Sequence, residues 1–438
     1  MKIAALISLL LVLLSMNTIA QTPQDLAEIW EMTHVSKIVP SDVRHKDLRA
    51  YLDNLKKLGL KVDEVGRSRA NREIYQVEFG KGPTRIFLWS QMHGDEPTAT
   101  SALIDMLAYF QTHRDQDWVK KIEETLTIRA VPMLNPDGAE AYQRRNLQGI
   151  DINRDALDLK TPEAQLLKKL RDEWSPAIGF NLHNQQSLTT VGNSRKQATI
   201  SLLVVFGDAA KTTNDGHERN KRLVSAMILA LQNFVPGHIG RYADGYTPTA
   251  FGDSFSAWGT PVILVETGAL HGKDEMFLVK LNFVAFVTAL TALATGSERS
   301  QSPQPYLSLI ANRSGGLYNY IFRRGNLVRS VETRNTFAAD VAITTERRRA
   351  SFVAPNLIRM IGDLSDSSGL EEYDASNFNV VQRLGKIKVG EPGEFLFYRK
   401  DRVIDWKISD LEKRCPPDAI FSSGKWIKGV GVLPKLSK

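Results

Sequence analysis

Ile86-Phe87-Leu88-Trp89-Ser90-Gln91-Met92-His93-Gly94-Asp95-Glu96-Pro97 is the stretch from which the rest of the chain can be read. Four bulky apolar residues in a row predict a short strand buried on both faces. Pro97 suits the first position of a helix, where its missing N–H would have found no partner in any case. Between the two stand an imidazole and a carboxylate, separated by Gly94 and Asp95. On the turn leaving a buried strand both can reach one divalent cation. The same residues also fit a plain capped helix start. A metal reading therefore requires a third ligand, a base and substrate-holding groups from elsewhere in the chain.

Upstream, Leu48, Tyr51, Leu52, Leu55 and Leu58 recur at helical spacing, and Gly59 stops the pattern, which predicts a first helix over 43–58. Leu60–Val65, Glu73–Phe79 and Arg85–Trp89 read as strands and as an antiparallel start to a sheet. Downstream the motif feeds a helix to about Tyr109. A strand over Leu126–Leu134 then ends in the turn signal Asn135-Pro136-Asp137-Gly138. Helices from Thr161-Pro162-Glu163 to Trp174, over His217–Phe234 and over Glu275–Ala294 alternate with strands over Ala177–Leu182, Ser201–Phe206 and Pro261–Val265. The alternation predicts an α/β fold, a mixed sheet flanked by helices. Beyond the polar break Gly296–Pro303 come short strand candidates, namely Tyr318–Phe322, Val341–Thr344, Ile358–Ile361, Asn379–Val381 and Glu394–Tyr398. The expected division is a catalytic domain over 21–298 and a smaller β-rich C-terminal domain over 304–438.

Residues 1–20 have the form of a cleavable leader. Lys2 is the charged start, Ile3 to Leu14 the apolar core, and Thr18-Ile19-Ala20 the small residues before a mature start at Gln21. No later segment reaches the run of about 18 uncharged apolar residues expected of a membrane span. The expectation is an exported protein, periplasmic or extracellular. The one cysteine, Cys415, excludes an internal disulfide framework and a thiol-ligated metal, so any metal must be held by His and carboxylates. The 56 basic and 49 acidic residues leave +7. Arg323-Arg324 and Arg347-Arg348-Arg349 lack regularly interleaved aromatics and read as solvated faces, so no nucleic-acid partner is expected. The last histidine is His271, which places no chemistry in the C-terminal part. That part reads as a stabilising module or as one that contacts the cell wall or a partner.

A catalytic zinc site takes three protein ligands and leaves one position open. His183 is the leading third ligand, since it ends an apolar strand, as His93 nearly does, and two such strand ends can face one ion, although a strand-end histidine is also a common structural residue. His34 and His45 precede the core sheet, His113 and His217 sit in or beside polar helices, and His238 and His271 occupy loops. The loop Arg144-Arg145-Asn146-Leu147-Gln148-Gly149-Ile150-Asp151-Ile152-Asn153-Arg154-Asp155 gathers the guanidinium and amide donors that carboxylate recognition needs, or is a solvated basic loop. Glu266, after Val262–Val265 and before Thr267-Gly268, is placed to act as a general base, or to cap a helix or pair with a buried cation.

In this order the pieces resemble the zinc carboxypeptidase family typified by the pancreatic carboxypeptidases. His-x-x-Glu after a strand, Asn-Pro-Asp-Gly, an Arg before Gly-x-Asp-x-Asn-Arg, a strand-end His and a strand-end Glu before Thr-Gly span roughly residues 40–295. The resemblance implies a mixed sheet of about eight strands and one zinc ion per chain, held by His93, Glu96 and His183. It implies that Asp151 orients His93, that Glu266 takes a proton from the attacking water, and that Arg144 polarises the scissile carbonyl. Asn153 and Arg154 would hold the substrate's terminal carboxylate, and Tyr246, or its rival Tyr242, would be the mobile tyrosine. Three features depart from the pattern or blur it. Asn184 stands where many members have Ser, Arg144 and Arg145 are adjacent, and the pocket floor between about Gly240 and Trp258 offers Asp244 and Asp253 either as determinants of a basic preference or as loop caps.

The function so implied is a secreted zinc-dependent carboxypeptidase acting on a peptide with a free C-terminal carboxylate. Rival readings are a zinc amidase of cell-wall peptides and an N-acyl amino acid deacylase, which His-Gly-Asp-Glu-Pro also resembles. The complete Asn-Pro-Asp-Gly and Asp-Ile-Asn-Arg runs weigh against the deacylase. A catalytically dead binding protein is the reading from a different class.

Overall fold

The computed structural model describes residues 21–243, 245–330, 335–406, 408 and 410–436. The leader read from residues 1–20, and Asp244, lie outside them. The chain divides into two compact units. Of the described residues, one takes those within 21–185, 199–269 and 273–312, and the other those within 186–198, 270–272 and 313–436.

The first unit is built on an eight-stranded sheet. Its strands are β1 (Lys61–Arg67), β2 (Glu73–Gly80), β3 (Thr84–Ser90), β4 (Leu126–Val131), β5 (Ile178–Asn184), β6 (Ile200–Val205), β7 (Ile239–Arg241) and β8 (Val262–Thr267). They lie in the order β1-β2-β4-β3-β5-β8-β6-β7. Its helices are α1 (Pro23–Thr33), α2 (His45–Lys57), α3 (Thr98–Thr112), α4 (Asp117–Thr125), α5 (Pro136–Ala141), α6 (Pro162–Trp174), α7 (Asp215–Leu231), α8 (Phe251–Ala257) and α9 (Glu275–Thr295). The mixed sheet with flanking helices is the architecture expected from the alternation.

The strands β4, β3, β5 and β8 run parallel to one another, so their carboxyl ends share one edge. Residues of β5 and β8 are buried without exception, as expected for parallel strands covered on both faces. Trp89 on β3 packs on Phe255 of α8 with ring centroids 4.5 Å apart, and Phe87 lies 5.8 Å from Trp89. Each such buried side chain contributes about 1.5–3 kcal/mol by leaving water.

Several sequence expectations need correction. A capped helix, α1, precedes the segment read as the first one; Thr22 accepts from Asp25 N, and Asp25 returns the bond. The antiparallel start holds for β1 with β2, but β3 pairs with β4 and β5. The strand read to Leu134 ends at Val131. Asn135-Pro136-Asp137-Gly138 is not a plain turn: it opens α5, with Asn135 Oδ1 accepting from Gly138 N and Pro136 in the first turn. Periodicity places the strands but not their ends, and it cannot separate a tight turn from a capped single helical turn.

Among the described residues one helix, α9, is long and apolar enough to cross a membrane. It is apolar around its whole circumference because it is enclosed by α7, α3, α1 and α4. Two thirds of its apolar window is buried within the protein, 67%. Asn282 in its middle is satisfied by Thr267 Oγ1 and Leu278 O.

The second unit carries another eight-stranded sheet, formed by Leu317–Ser330, Asn335–Thr345, Asn356–Gly362, Ser368–Asp374, Phe378–Gln382, Phe395–Arg399, Ala419–Ser422 and Lys425–Lys428. Its core is aromatic, with Phe322, Phe395, Phe397 and Phe421 buried together. The basic pair 323–324 is only half a solvated face. Arg323 is a cross-link, held by Asp340 and Glu372 and by the carbonyls of Leu364 and Ser367. Arg349 is also buried, at 5% exposure, while Arg347 and Arg348 are exposed. Counting charges does not reveal which guanidinium is used inside.

Candidate metal centre

The centre is assembled where β3, β5 and β8 end. After Ser90 the chain turns through Gln91, whose φ of +51° is left-handed. Such a conformation costs on the order of 1–3 kcal/mol in a residue with a side chain. Gln91 compensates by closing the turn with that side chain, its Nε2 donating to Gly94 O and its Oε1 accepting from Thr100 Oγ1. Asn135 supports the same loop from outside, donating from Nδ2 to Met92 O. Gly94 is required by contact: a Cβ there would lie 1.9 Å from the backbone of Gly138. The two sequence motifs therefore cross backbone to backbone, which spacing alone does not disclose.

This rigid corner presents His93 and Glu96 to His183 on β5. His93 Nδ1 lies 2.9 Å from Glu96 Oε1, His183 Nδ1 lies 2.7 Å from Glu96 Oε2, and the two Nδ1 atoms are 3.1 Å apart. All three side chains are buried, and their ligand atoms fall within 4.8 Å of one another. Two ring nitrogens facing each other beside a carboxylate, with Nδ1 of each turned inward, form a donor set that fits one borderline cation such as zinc.

Asp151 sits behind His93. Its Oδ1 meets His93 Nε2 at 3.1 Å and accepts from Asn153 N, while its Oδ2 accepts from Arg144 Nε at 3.0 Å. A carboxylate on the outer ring nitrogen fixes the tautomer and directs Nδ1 inward. His183 has no such counterpart, and its buried Nε2 has no hydrogen-bond partner among the described residues. Arg144 Nη1 reaches His93 Nδ1 at 3.1 Å and Glu96 Oε1 at 3.3 Å.

Opposite charges are set against one another in the centre. Burial alone would raise the Glu96 carboxyl, but the His93 and His183 rings beside it prevail and hold it well below the usual carboxylate range. Burial likewise opposes ionisation of Asp151, and the His93 and Arg144 contacts again prevail, lowering it. His93 is pushed up to about 9, its burial outweighed by the Glu96 charge and the bond to Asp151. His183 is lowered, chiefly by burial.

Glu266 stands directly beside His183 in the β5–β8 register and is 8% exposed. Asn153 and Arg154 follow Asp151 on a 3₁₀ turn. Asn153 Oδ1 accepts from Phe251 N, which ties this turn to α8, and the exposed Arg154 bonds Asn153 O. Arg145 turns away, donating to Gly149 O. Tyr246 is 37% exposed and lines a small pocket with Leu203, Phe206 and Lys211. Tyr242 is partly buried against the core, with its N–H on Leu202 O. Asp253 Oδ1 accepts from Thr247 N, the loop-cap role.

The sequence reading passed over Asn184 except as a departure from a family pattern. Its amide joins Thr98 to Thr267, and its N–H reaches Glu96. The adjacency of an amide residue to a strand-end histidine was the available signal.

Residues 48–222 match the sequence model of the family described as zinc carboxypeptidase. Among curated proteins the chain is 31% identical to Carboxypeptidase 2 of Trichophyton rubrum over 99 residues, 23% of this chain and 18% of that one. It is 28% identical to Carboxypeptidase E of Caenorhabditis elegans over 127 residues, covering 24% and 27%. The chain spans about a fifth of the length of the first curated relatives it matches. Among solved structures it is similar to a metallo-carboxypeptidase from Burkholderia cenocepacia, with a TM-score of 0.47, 14% identity and coverage of 57% and 69%. It is also similar to a metallo-carboxypeptidase from Pseudomonas aeruginosa in complex with (2-guanidinoethylmercapto)succinic acid, with a TM-score of 0.45, 17% identity and coverage of 58% and 69%.

Proposed function

We propose that the protein is a carboxypeptidase of the zinc carboxypeptidase family, whose model residues 48–222 match, and that it hydrolyses the peptide bond next to a free C-terminal carboxylate. The observation that carries this reading is the convergence of His93, Glu96 and His183 at the ends of adjacent strands with Glu266 in register beside them. These three residues would hold one zinc ion. Bound zinc is a Lewis acid that polarises a carbonyl and makes water acidic.

The chain's own groups supply the rest. Glu266 accepts the proton of the attacking water and returns it to the leaving amine. Arg144, already held toward the centre by Asp151, donates to the carbonyl oxygen as negative charge develops there. Asn153, whose Oδ1 is occupied by Phe251 N, offers its amide N–H groups to the substrate's terminal carboxylate, and Arg154 adds a guanidinium. Tyr246 covers the bound end. Blocking the terminal carboxylate is the direct test: amidated peptides should not be cleaved where the free acids are, and equal rates would reject the role of Asn153 and Arg154.

The protein is, in this reading, exported, as the leader pattern of residues 1–20 supports, and its C-terminal part contacts anionic cell-wall polymer. The support for the contact is the distribution of charge. Residues 313–438 contain 22 Lys and Arg against 15 Asp and Glu, a net of +7, which is the whole excess of the chain at 56 against 49. Envelope fractionation should find a chain beginning at Gln21 that ~1 M salt releases, since salt of that strength screens exposed charges beyond about 3 Å. A cytoplasmic chain beginning at Met1, or no envelope retention at low salt, would overturn the reading.

A further inference from the structure

Asn184 is buried to 8% exposure at the end of β5, immediately after His183 and opposite Thr267 of β8. Its backbone N–H donates to Glu96 Oε2 at 3.1 Å. Its Oδ1 accepts from Thr98 N at 3.2 Å, and its Nδ2 donates to Thr98 Oγ1 at 2.8 Å and to Thr267 O at 3.1 Å. Both amide protons are thus used, and the residue bridges three segments that are far apart in sequence. These are the corner carrying His93 and Glu96, the strand carrying His183 and the strand carrying Glu266.

We propose that Asn184 is the positioning residue that sets the Glu96 carboxylate and the Glu266 strand relative to each other. Three features of the geometry support it. Thr98 is two residues after Glu96 and begins α3, so gripping both its N–H and its hydroxyl fixes the direction in which Glu96 leaves the corner. Thr267 follows Glu266, and its carbonyl also accepts from Gln185 N, so two consecutive residues of the β5 end hold that carbonyl in place. An amide is the group that meets these demands at once, since it offers two donors and an acceptor from one plane. Serine is too short to reach both partners. Aspartate lacks the donors and would bring a second negative charge beside Glu96.

The inference rests on His93, Glu96 and His183 being metal ligands. Its test is zinc affinity, measured by chelator competition, together with the kinetic constants of wild type, Asn184→Ala and the isosteric Thr98→Val. Loss of an outer partner of a metal ligand typically costs about 10–100-fold in affinity or activity. Asn184→Ala should fall in that range for zinc affinity and kcat while KM stays within about twofold. Thr98→Val, which removes only one acceptor, should move the same way by less, and it decides the matter if the alanine variant does not fold. Variants that bind zinc and turn over like wild type, with any change confined to Tm, would overturn the role of Asn184 alone. A folded wild-type chain without zinc affinity would overturn the metal reading and this inference together.

Discussion

Glu266→Gln should lower turnover by about 10²-fold or more while the protein keeps its zinc. The two halves of this expectation come from different features. Glu266 occupies the register position beside His183, yet the ligand atoms that lie within 4.8 Å of one another come from His93, Glu96 and His183. Removing its charge should therefore spare the metal. Glutamine keeps the size and much of the hydrogen bonding of a side chain that is only 8% exposed, so packing on β8 should hold. What it lacks is a carboxylate able to take a proton, and a positioned base contributes typically 10²–10⁴-fold. Near-normal turnover would show that the proton goes elsewhere, and loss of zinc would show Glu266 to be part of the metal's own coordination.

His93→Ala should release the zinc altogether, with no measurable peptidase activity in the purified protein. The imidazole is held from two sides: Nδ1 faces Glu96 and His183, and Nε2 meets Asp151. Deleting it removes one of three ligands, a larger loss than the ~10–100-fold attached to outer partners. It also removes one of the groups that lower the Glu96 and Asp151 carboxyls, leaving His183 and Arg144 beside Glu96 and Arg144 beside Asp151. Metal analysis of wild type and variant, with circular dichroism to establish that both are folded, decides the matter. About one zinc per chain in the variant would sink the assignment of His93, and none in a folded wild type would sink the enzyme reading.

The sequence disclosed the α/β alternation because parallel buried strands are unbroken apolar runs, and β3, β5 and β8 each end on a polar residue quoted from the motifs. Strand order was not legible. Nothing in the local pattern of 84–90 says that it lies between β4 and β5 rather than beside β2. The candidate ligands were legible through their combination, since His-x-x-Glu, a strand-end His and a strand-end Glu occur in one order along the chain although each alone also has a structural reading. Groups that act by reaching back were not. Asn135 and Gly138 looked like a turn because their work, supporting Met92 and admitting Gly94, is done across some 40 residues of chain. Arg323 looked solvated because its partners Asp340 and Glu372 are distant in sequence.

The pairing of β3, β5 and β8 has a further consequence, for the order of events in folding. His93 and His183 are 90 residues apart, and Glu266 arrives on β8, three strands after β5 in the chain, each brought in through a crossover connection whose closure entropy must be met before any contact between them forms. A cation therefore cannot act as a nucleus here, as it does in small domains that are unfolded without metal. It binds once the corner after β3 and the end of β5 have found each other, since His93, Glu96 and His183 come from those two elements. Zinc uptake should then report the pairing of β3 with β5, and it should slow unfolding more than it speeds folding.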